Sequence, residues 1–291
     1  MIQKESVAPE WVSVAENRQD RPVTAASGFC PFCPGPDGEV GSEPFAAAVF
    51  PNRFPPFQEP GTAEVVVYSP RHDDDLAYLP ASHAGMVAEA WMSRTEALAS
   101  QADVAQVFVF ENRGARVGAS VAHPHGQIYG YPTLAPRLAR ELAEFSGGPC
   151  PLCRERDPER IVLEISGWRL VAPPVPRMPY ELWLVPAMHG PRLVRTDLAP
   201  GGLRLLQTAL RALDRRFGHR TELTWGIYQD TRPVSTPYHW RIDILPYERG
   251  GGRFKYLAGS ELQMDAFLCD VSPKTTVREL RLLAQEEWDR P

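Results

Sequence analysis

Four of the five cysteines form two short pairs, CPFC (Cys30, Cys33) and CPLC (Cys150, Cys153), and two histidines follow each pair at nearly equal intervals. The step from cysteine to histidine is 72 − 33 = 39 residues for His72 and 189 − 153 = 36 for His189. The next step is 123 − 72 = 51 to His123 and 239 − 189 = 50 to His239. A C-x-x-C pair in a reducing compartment serves either redox chemistry or a metal. Proline stands inside each pair, and CPFC runs directly into the turn sequence CPGPDG, which favours a metal knuckle over a redox pair at a helix start. Each set then supplies Cys2His2, a complete tetrahedral donor set for structural zinc. Two zinc sites per chain are therefore expected, with Cys30, Cys33, His72 and His123 as one ligand set and Cys150, Cys153, His189 and His239 as the other. Cys269 is left over and is expected to act as a small buried apolar residue.

The matched spacing predicts a duplication, with halves at 1–133 and 134–291. Flanking sequences agree: VVVYSPRH parallels LWLVPAMH, and VFVFENRG parallels WGIYQDTR. β-branched and aromatic runs predict strands at 63–69, 106–112, 160–166, 180–186, 224–230 and 240–246. Apolar residues at helical spacing predict helices at 84–100, 201–217 and 275–288. Each half is thus an α+β unit, an antiparallel sheet with packed helices. RGGGR (249–253) lacks the spacing of a phosphate loop and is read as a flexible connector; His83 and His219 are read as surface residues beside helices.

Composition excludes some partners. The formal net charge is −5, which offers no electrostatic footprint for nucleic acid or an anionic membrane. No apolar run approaches the roughly 18 residues of a membrane span, and the first 22 residues lack a signal-peptide core, so a cytoplasmic protein is expected.

The segment SVAHPHGQIYGYP (120–132) concentrates the chemistry. On an extended segment, side chains two residues apart share a face. His123 can then bind the metal while His125 faces an adjoining cleft. Gly126 lets the backbone approach a ligand closely. A neutral imidazole aimed at phosphorus is a competent nucleophile. Gln127, Ser120 and Asn112 can donate hydrogen bonds where charge builds on the phosphoryl oxygens.

With these residues in view, the chain resembles the galactose-1-phosphate uridylyltransferase branch of the histidine-triad superfamily. The resemblance is carried by ENRGARVGASVAHPHGQIYGYP (111–132), and extends through EWVSVAENRQDRP (10–22), CPFCPG (30–35), FPNRFPPF (50–57), SPRH (69–72) and KYLAGSE (255–261). It implies two histidine-triad-like halves, the first carrying the HPHGQ site and the second degenerate. It implies a ping-pong transfer in which His125 attacks the α-phosphorus of a nucleotide-sugar, sugar 1-phosphate leaves, and a second phosphate acceptor takes the nucleotide. By position in the motif, Asn112, Ser120 and Gln127 match phosphate-contacting residues, Arg18 and Arg21 match arginines near the nucleotide, Asn52 and Phe54 match a nucleoside-binding Asn-x-Phe, and Lys255 to Glu261 match the segment that receives the sugar phosphate. It also implies a homodimer. Arg241 stands where a second reactive histidine would fall, so one active site per chain is expected; Ala119 and Arg53 also depart from the family pattern.

A hexose-1-phosphate uridylyltransferase is the first reading. The alternatives are an ADP- or GDP-sugar phosphorylase in which inorganic phosphate is the acceptor, a zinc-stabilised nucleotide-binding protein without turnover, and a histidine-triad hydrolase with water as acceptor. The acceptor pocket, expected around 255–267, distinguishes the first two.

Overall fold

The computed structural model describes residues 2–4, 11–19, 29–57, 62–193, 198, 201–234 and 236–290. In chain order the strands and helices are β1 (Ile2–Lys4), β2 (Trp11–Ser13), β3 (Ala48–Pro51), β4 (Ala63–Val67), α1 (Ala81–Ala99), β5 (Gln106–Arg113), β6 (His125–Tyr131), α2 (Pro136–Ser146), α3 (Pro151–Arg154), β7 (Ile161–Ile165), β8 (Trp168–Val171), β9 (Leu182–Pro186), α4 (Gly201–Phe217), β10 (Leu223–Tyr228), β11 (Arg241–Pro246), β12 (Glu248–Gly250), β13 (Arg253–Phe254), α5 (Gly259–Met264) and α6 (Pro273–Asp289). The chain is an α+β protein built on one nine-stranded sheet, with strand order β3-β4-β6-β5-β10-β11-β9-β8-β7. Every pairing in it is antiparallel.

Alternation along the strands gives the sheet two faces. Val66, Ile128, Val107, Val109, Trp225 and Ile242 join the main core beneath α1 and α4. The helix at Gly201–Phe217 follows from its Leu203, Leu206, Leu210 and Leu213 stripe, all buried in that core, and α6 packs along it through Val277, Leu280 and Ala284. On the opposite face, α2 covers the β9–β8 end through Leu138, Leu142 and Phe145, which meet Val171 and Val185. The β3–β4–β6 end of that face carries two small clusters, Phe32 with Val65 and Val67, and Phe57 with Ala63 and Tyr129.

Two expectations are corrected. RGGGR is not a flexible connector: it closes the β12–β13 hairpin, because Gly250, Gly251 and Gly252 take φ of 107°, 61° and 71°, a left-handed run that side chains disfavour. His83 is half-buried, with its Nε2 2.8 Å from the carbonyls of Ala46 and Tyr68. His219 is exposed just beyond the end of α4, as expected, and pairs with buried Glu248 at 2.9 Å. Among the described residues, no helix is long and apolar enough to cross a membrane.

Candidate active site and metal centres

The cysteines and histidines of each set converge. In each of the two groups, one donor atom per residue lies within 4.8 Å of the others. His123 Nδ1 is 3.6 Å from both Cys30 Sγ and Cys33 Sγ, and His72 Nδ1 is 3.5 Å from Cys33 Sγ. In the other group, His239 Nδ1 is 3.5 Å from Cys150 Sγ and 3.4 Å from Cys153 Sγ, and His189 Nδ1 is 3.4 Å from Cys153 Sγ. A tetrahedral ion with ordinary zinc–sulfur and zinc–nitrogen bonds would separate such atoms by about 3.6 Å, so the donor sets fit the ion.

Hydrogen bonding orients the histidines for this role. His123 Nε2 lies 2.8 Å from the Ser69 carbonyl, and His239 Nε2 lies 3.0 Å from that of Pro186. Each carbonyl takes the proton and leaves the Nδ1 lone pair directed at the thiols. Burial, with His189 beside it, pushes His239 down to about 4, which keeps it neutral as a ligand must be. Burial and the adjacent Cys30 push the Cys33 thiol up to about 11, so thiolates at this site need the positive charge an ion brings.

His123 stands two residues before the start of β6, and its own carbonyl holds the next histidine: His125 Nδ1 donates to His123 O at 2.8 Å. That places the imidazole lone pair on Nε2. Phe32 packs edge-on against the His125 ring, with centroids 4.9 Å apart. A cavity of about 380 Å³ opens where β5 ends and β6 begins, beneath the loop that joins them. His125, Ser120 and Asn112 line it together.

Other expected residues are placed differently. Gln127 lies two positions along β6 on the same face as His125, outside the lining of that cavity, with its Oε1 2.7 Å from the Tyr129 hydroxyl and 3.3 Å from Asn52 Nδ2. Asn52 Oδ1 accepts the Phe54 amide at 2.9 Å, so this Asn-x-Phe is a local turn whose amide is held by protein. Arg18 donates to the Phe54 carbonyl at 3.1 Å. Arg21 lies outside the described residues. Lys255 and Glu261 do not line the cavity. They form a pair at 2.5 Å, and Lys255, with the Ala258 amide, holds the Glu261 carboxyl down at about 2. At Gly126 a Cβ would lie 2.4 Å from the Tyr68 hydroxyl, so its bareness admits a core tyrosine. Cys269 is half-buried, and its thiol donates to the Val271 carbonyl.

The charged wall of the cavity was not among the residues expected from the sequence. Glu111, Arg113, Asp75 and Arg220 all line it. Buried Arg113 pairs with Asp75 at 2.8 Å and with Asp214 at 2.6 Å. Tyr68 and Trp225 donate to Glu111 at 3.0 and 2.8 Å. Burial, and then Asp75, push Glu111 up to about 7 against the pull of Arg113. The signal was present in VFVFENR: Glu111 and Arg113 continue the register of Val107 and Val109 on a central strand, which buries them.

Comparison with known proteins agrees with this geometry. The family model described as galactose-1-phosphate uridyl transferase, N-terminal domain, matches residues 46–135, which span the cavity-lining segment and His125. A galactose-1-phosphate uridylyltransferase from Thermotoga maritima is 29% identical over 94% of this chain and 95% of its own. A solved structure of a uridylyltransferase superposes with a TM-score of 0.87 at 27% identity, over 98% of each chain. The chain is thus similar to galactose-1-phosphate uridylyltransferases along nearly its whole length. It is a nucleotidyltransferase. An ADP-glucose phosphorylase from Arabidopsis thaliana is also similar, at 24% identity over 96% of this chain and 92% of its own, so this family's frame is shared by proteins named for different acceptors.

Proposed function

We propose that the chain is a hexose-1-phosphate uridylyltransferase working through a nucleotidyl-histidine. His125 Nε2 attacks the α-phosphorus of a nucleoside-diphosphate sugar, a P–N bond forms, and the P–O bond to the sugar phosphate breaks. Sugar 1-phosphate departs, and a second sugar 1-phosphate then displaces the histidine. The observation that carries this reading is the 2.8 Å bond from His125 Nδ1 to the His123 carbonyl, which directs the lone pair to Nε2. Asn112 and Ser120, lining the same cavity, are assigned to the phosphoryl oxygens, as is Gln127 from β6.

The same reading takes both Cys2His2 groups as structural zinc sites. It takes residues 1–133 as the half that carries the site and 134–291 as its degenerate counterpart. In its support, Ser69 precedes His72 by 72 − 69 = 3 residues and Pro186 precedes His189 by 189 − 186 = 3, and each of these carbonyls orients the later histidine of its set. A cytoplasmic location suits cysteines used as metal ligands. A homodimer suits the exposed Tyr256, Leu262, Met264 and Leu268, which gather in the segment around α5.

The Arabidopsis relative favours one second reading, a phosphorylase in which inorganic phosphate discharges the same intermediate and the nucleotide is adenylyl. Intact-protein mass spectrometry after mixing with UDP-, ADP-, GDP-, CDP- and TDP-sugars, without acceptor, tests both. An acid-labile increment of uridylyl mass, discharged by sugar 1-phosphates, is expected. An adenylyl increment discharged by phosphate would replace the first reading with the second, and the absence of any increment would overturn both.

A further inference from the structure

Tyr129 sits two positions beyond Gln127, and β6 alternation puts His125, Gln127 and Tyr129 on one face while Ile128 points into the main core. The Tyr129 hydroxyl donates to Gln127 Oε1 at 2.7 Å in a buried setting, and Asn52 Nδ2 donates to the same oxygen at 3.3 Å. Asn52 cannot turn over, because its Oδ1 already accepts the Phe54 amide at 2.9 Å. Were Gln127 reversed, its NH2 would confront the NH2 of Asn52, donor against donor. The two neighbours therefore fix which end of the Gln127 amide is which. No described residue accepts from Gln127 Nε2, and the atom is not sealed from solvent.

Resting on the proposed nucleotidyl transfer, we infer that Tyr129 is a positioning residue: its hydroxyl, with Asn52, locks the Gln127 carboxamide so that its NH2 faces the phosphoryl group attacked by His125. The spacing suits the task. Residues two apart on a strand stand about 6.8 Å from each other. That is close to the span of a phosphoryl group touched by a nucleophile at one side and a donor at the other. With Oε1 occupied, Gln127 meets the substrate only as a donor, which suits an oxygen that gains charge during the transfer and not a hydroxyl that must itself donate.

The experiment compares single-turnover rates of nucleotidyl-histidine formation, at saturating nucleotide-sugar, in the wild type, Tyr129→Phe, Gln127→Ala and the double variant. Phenylalanine keeps the ring contacts with Phe110, at 4.9 Å, and Phe57, at 6.1 Å. Tyr129→Phe is expected to slow adduct formation about tenfold in the wild-type background and to have no further effect once Gln127 is alanine. A rate within about twofold of the wild type, or effects that simply multiply in the double variant, would overturn the inference. Should Tyr129→Phe not fold, Asn52→Asp serves instead: an acceptor facing Gln127 turns the amide over and should slow the adduct as much as Gln127→Ala. An unchanged rate in Asn52→Asp counts against the inference. If the wild type itself forms no adduct, the proposed function falls and takes this inference with it. A normal wild-type adduct with an indifferent Tyr129 removes the inference alone.

Discussion

The β4–β6–β5 end of the sheet and the β9–β11–β10 end differ at the two positions that matter most. Both ends hold a Cys2His2 group, and both orient the buried histidine with a carbonyl three residues before the exposed one. Two residues after that histidine, one end presents His125 and the other Arg241; four after it, one presents Gln127 and the other Asp243. At the first end His125 opens on a cavity, and the Gln127 amide beside it binds only neutral partners. The pair at the second end is closed on itself. Arg241 binds Asp243 at 2.7 Å and Glu141 at 2.9 Å, lies over the rings of Trp183 and Tyr228, and is almost wholly buried. Arg177 completes the lattice with bonds to Asp243 at 3.0 Å and Glu181 at 3.2 Å. The frame alone therefore does not make a reactive site: on one scaffold, an imidazole and an amide leave room for a substrate, while a guanidinium and carboxylates fill the space themselves.

The largest effect expected is on the shared part of the frame. Cys33→Ser and Cys153→Ser should each remove one metal equivalent by elemental analysis, with a loss of stability drawn from a site binding energy on the order of 10 kcal/mol. Only Cys33→Ser should also slow the chemistry, because His123 links that ion to His125. Next comes the difference between the ends. His125→Asn should abolish the adduct and lower turnover by at least about 10⁴-fold with the fold intact. Retention of most activity would show that the nucleophile lies elsewhere. Third, Arg241→Met should cost about 3–5 kcal/mol in urea unfolding, since it leaves buried carboxylates short of a partner, while the adduct on His125 still forms. Loss of the adduct would mean that the two ends work as one site. The smallest effect concerns acid. Burial alone would raise Glu141, but Arg241 overrides it and brings the carboxyl to about 2. A carboxyl held below its unfolded value stabilises the protein above about pH 4.5 and loses that contribution as pH falls towards 2, here on the order of 3 kcal/mol. The stability gap between the wild type and Glu141→Gln should therefore narrow over that range, and a gap that stays constant would place the Glu141 carboxyl outside the lattice.

Much of this was legible before any coordinates. The two Cys2His2 groups could be read from spacing because an ion would constrain residue type and interval together. The helix at 201–217 was legible because one stripe of leucines dictates it, and strands β4, β5 and β9 because their apolar content is dense. The central strand β6 was not, since HGQIYGY carries glycines and polar residues where a strand ordinarily shows branched ones. Its reasons lie in partners distant in the chain, such as Tyr68 against Gly126. Helix α2 was passed over because its apolar residues, Leu138, Leu142 and Phe145, are sparse among charges. The hold on Gln127 was out of reach for the same reason: Asn52 stands 75 residues away, and only the fold brings it near.

The packing of Tyr68 against Gly126 bears on how sequence variants in this protein are interpreted. Position 126 lies inside the most recognisable motif of the chain, next to the proposed nucleophile, and a substitution there would naturally be classed as a lesion of catalysis. Yet the added methyl would strike the Tyr68 hydroxyl, which donates to Glu111 beside Trp91 and Trp225. The first casualty would be the core, and the inherited or engineered defect would be one of protein abundance, correctable by lower growth temperature, in a residue whose address says enzymology.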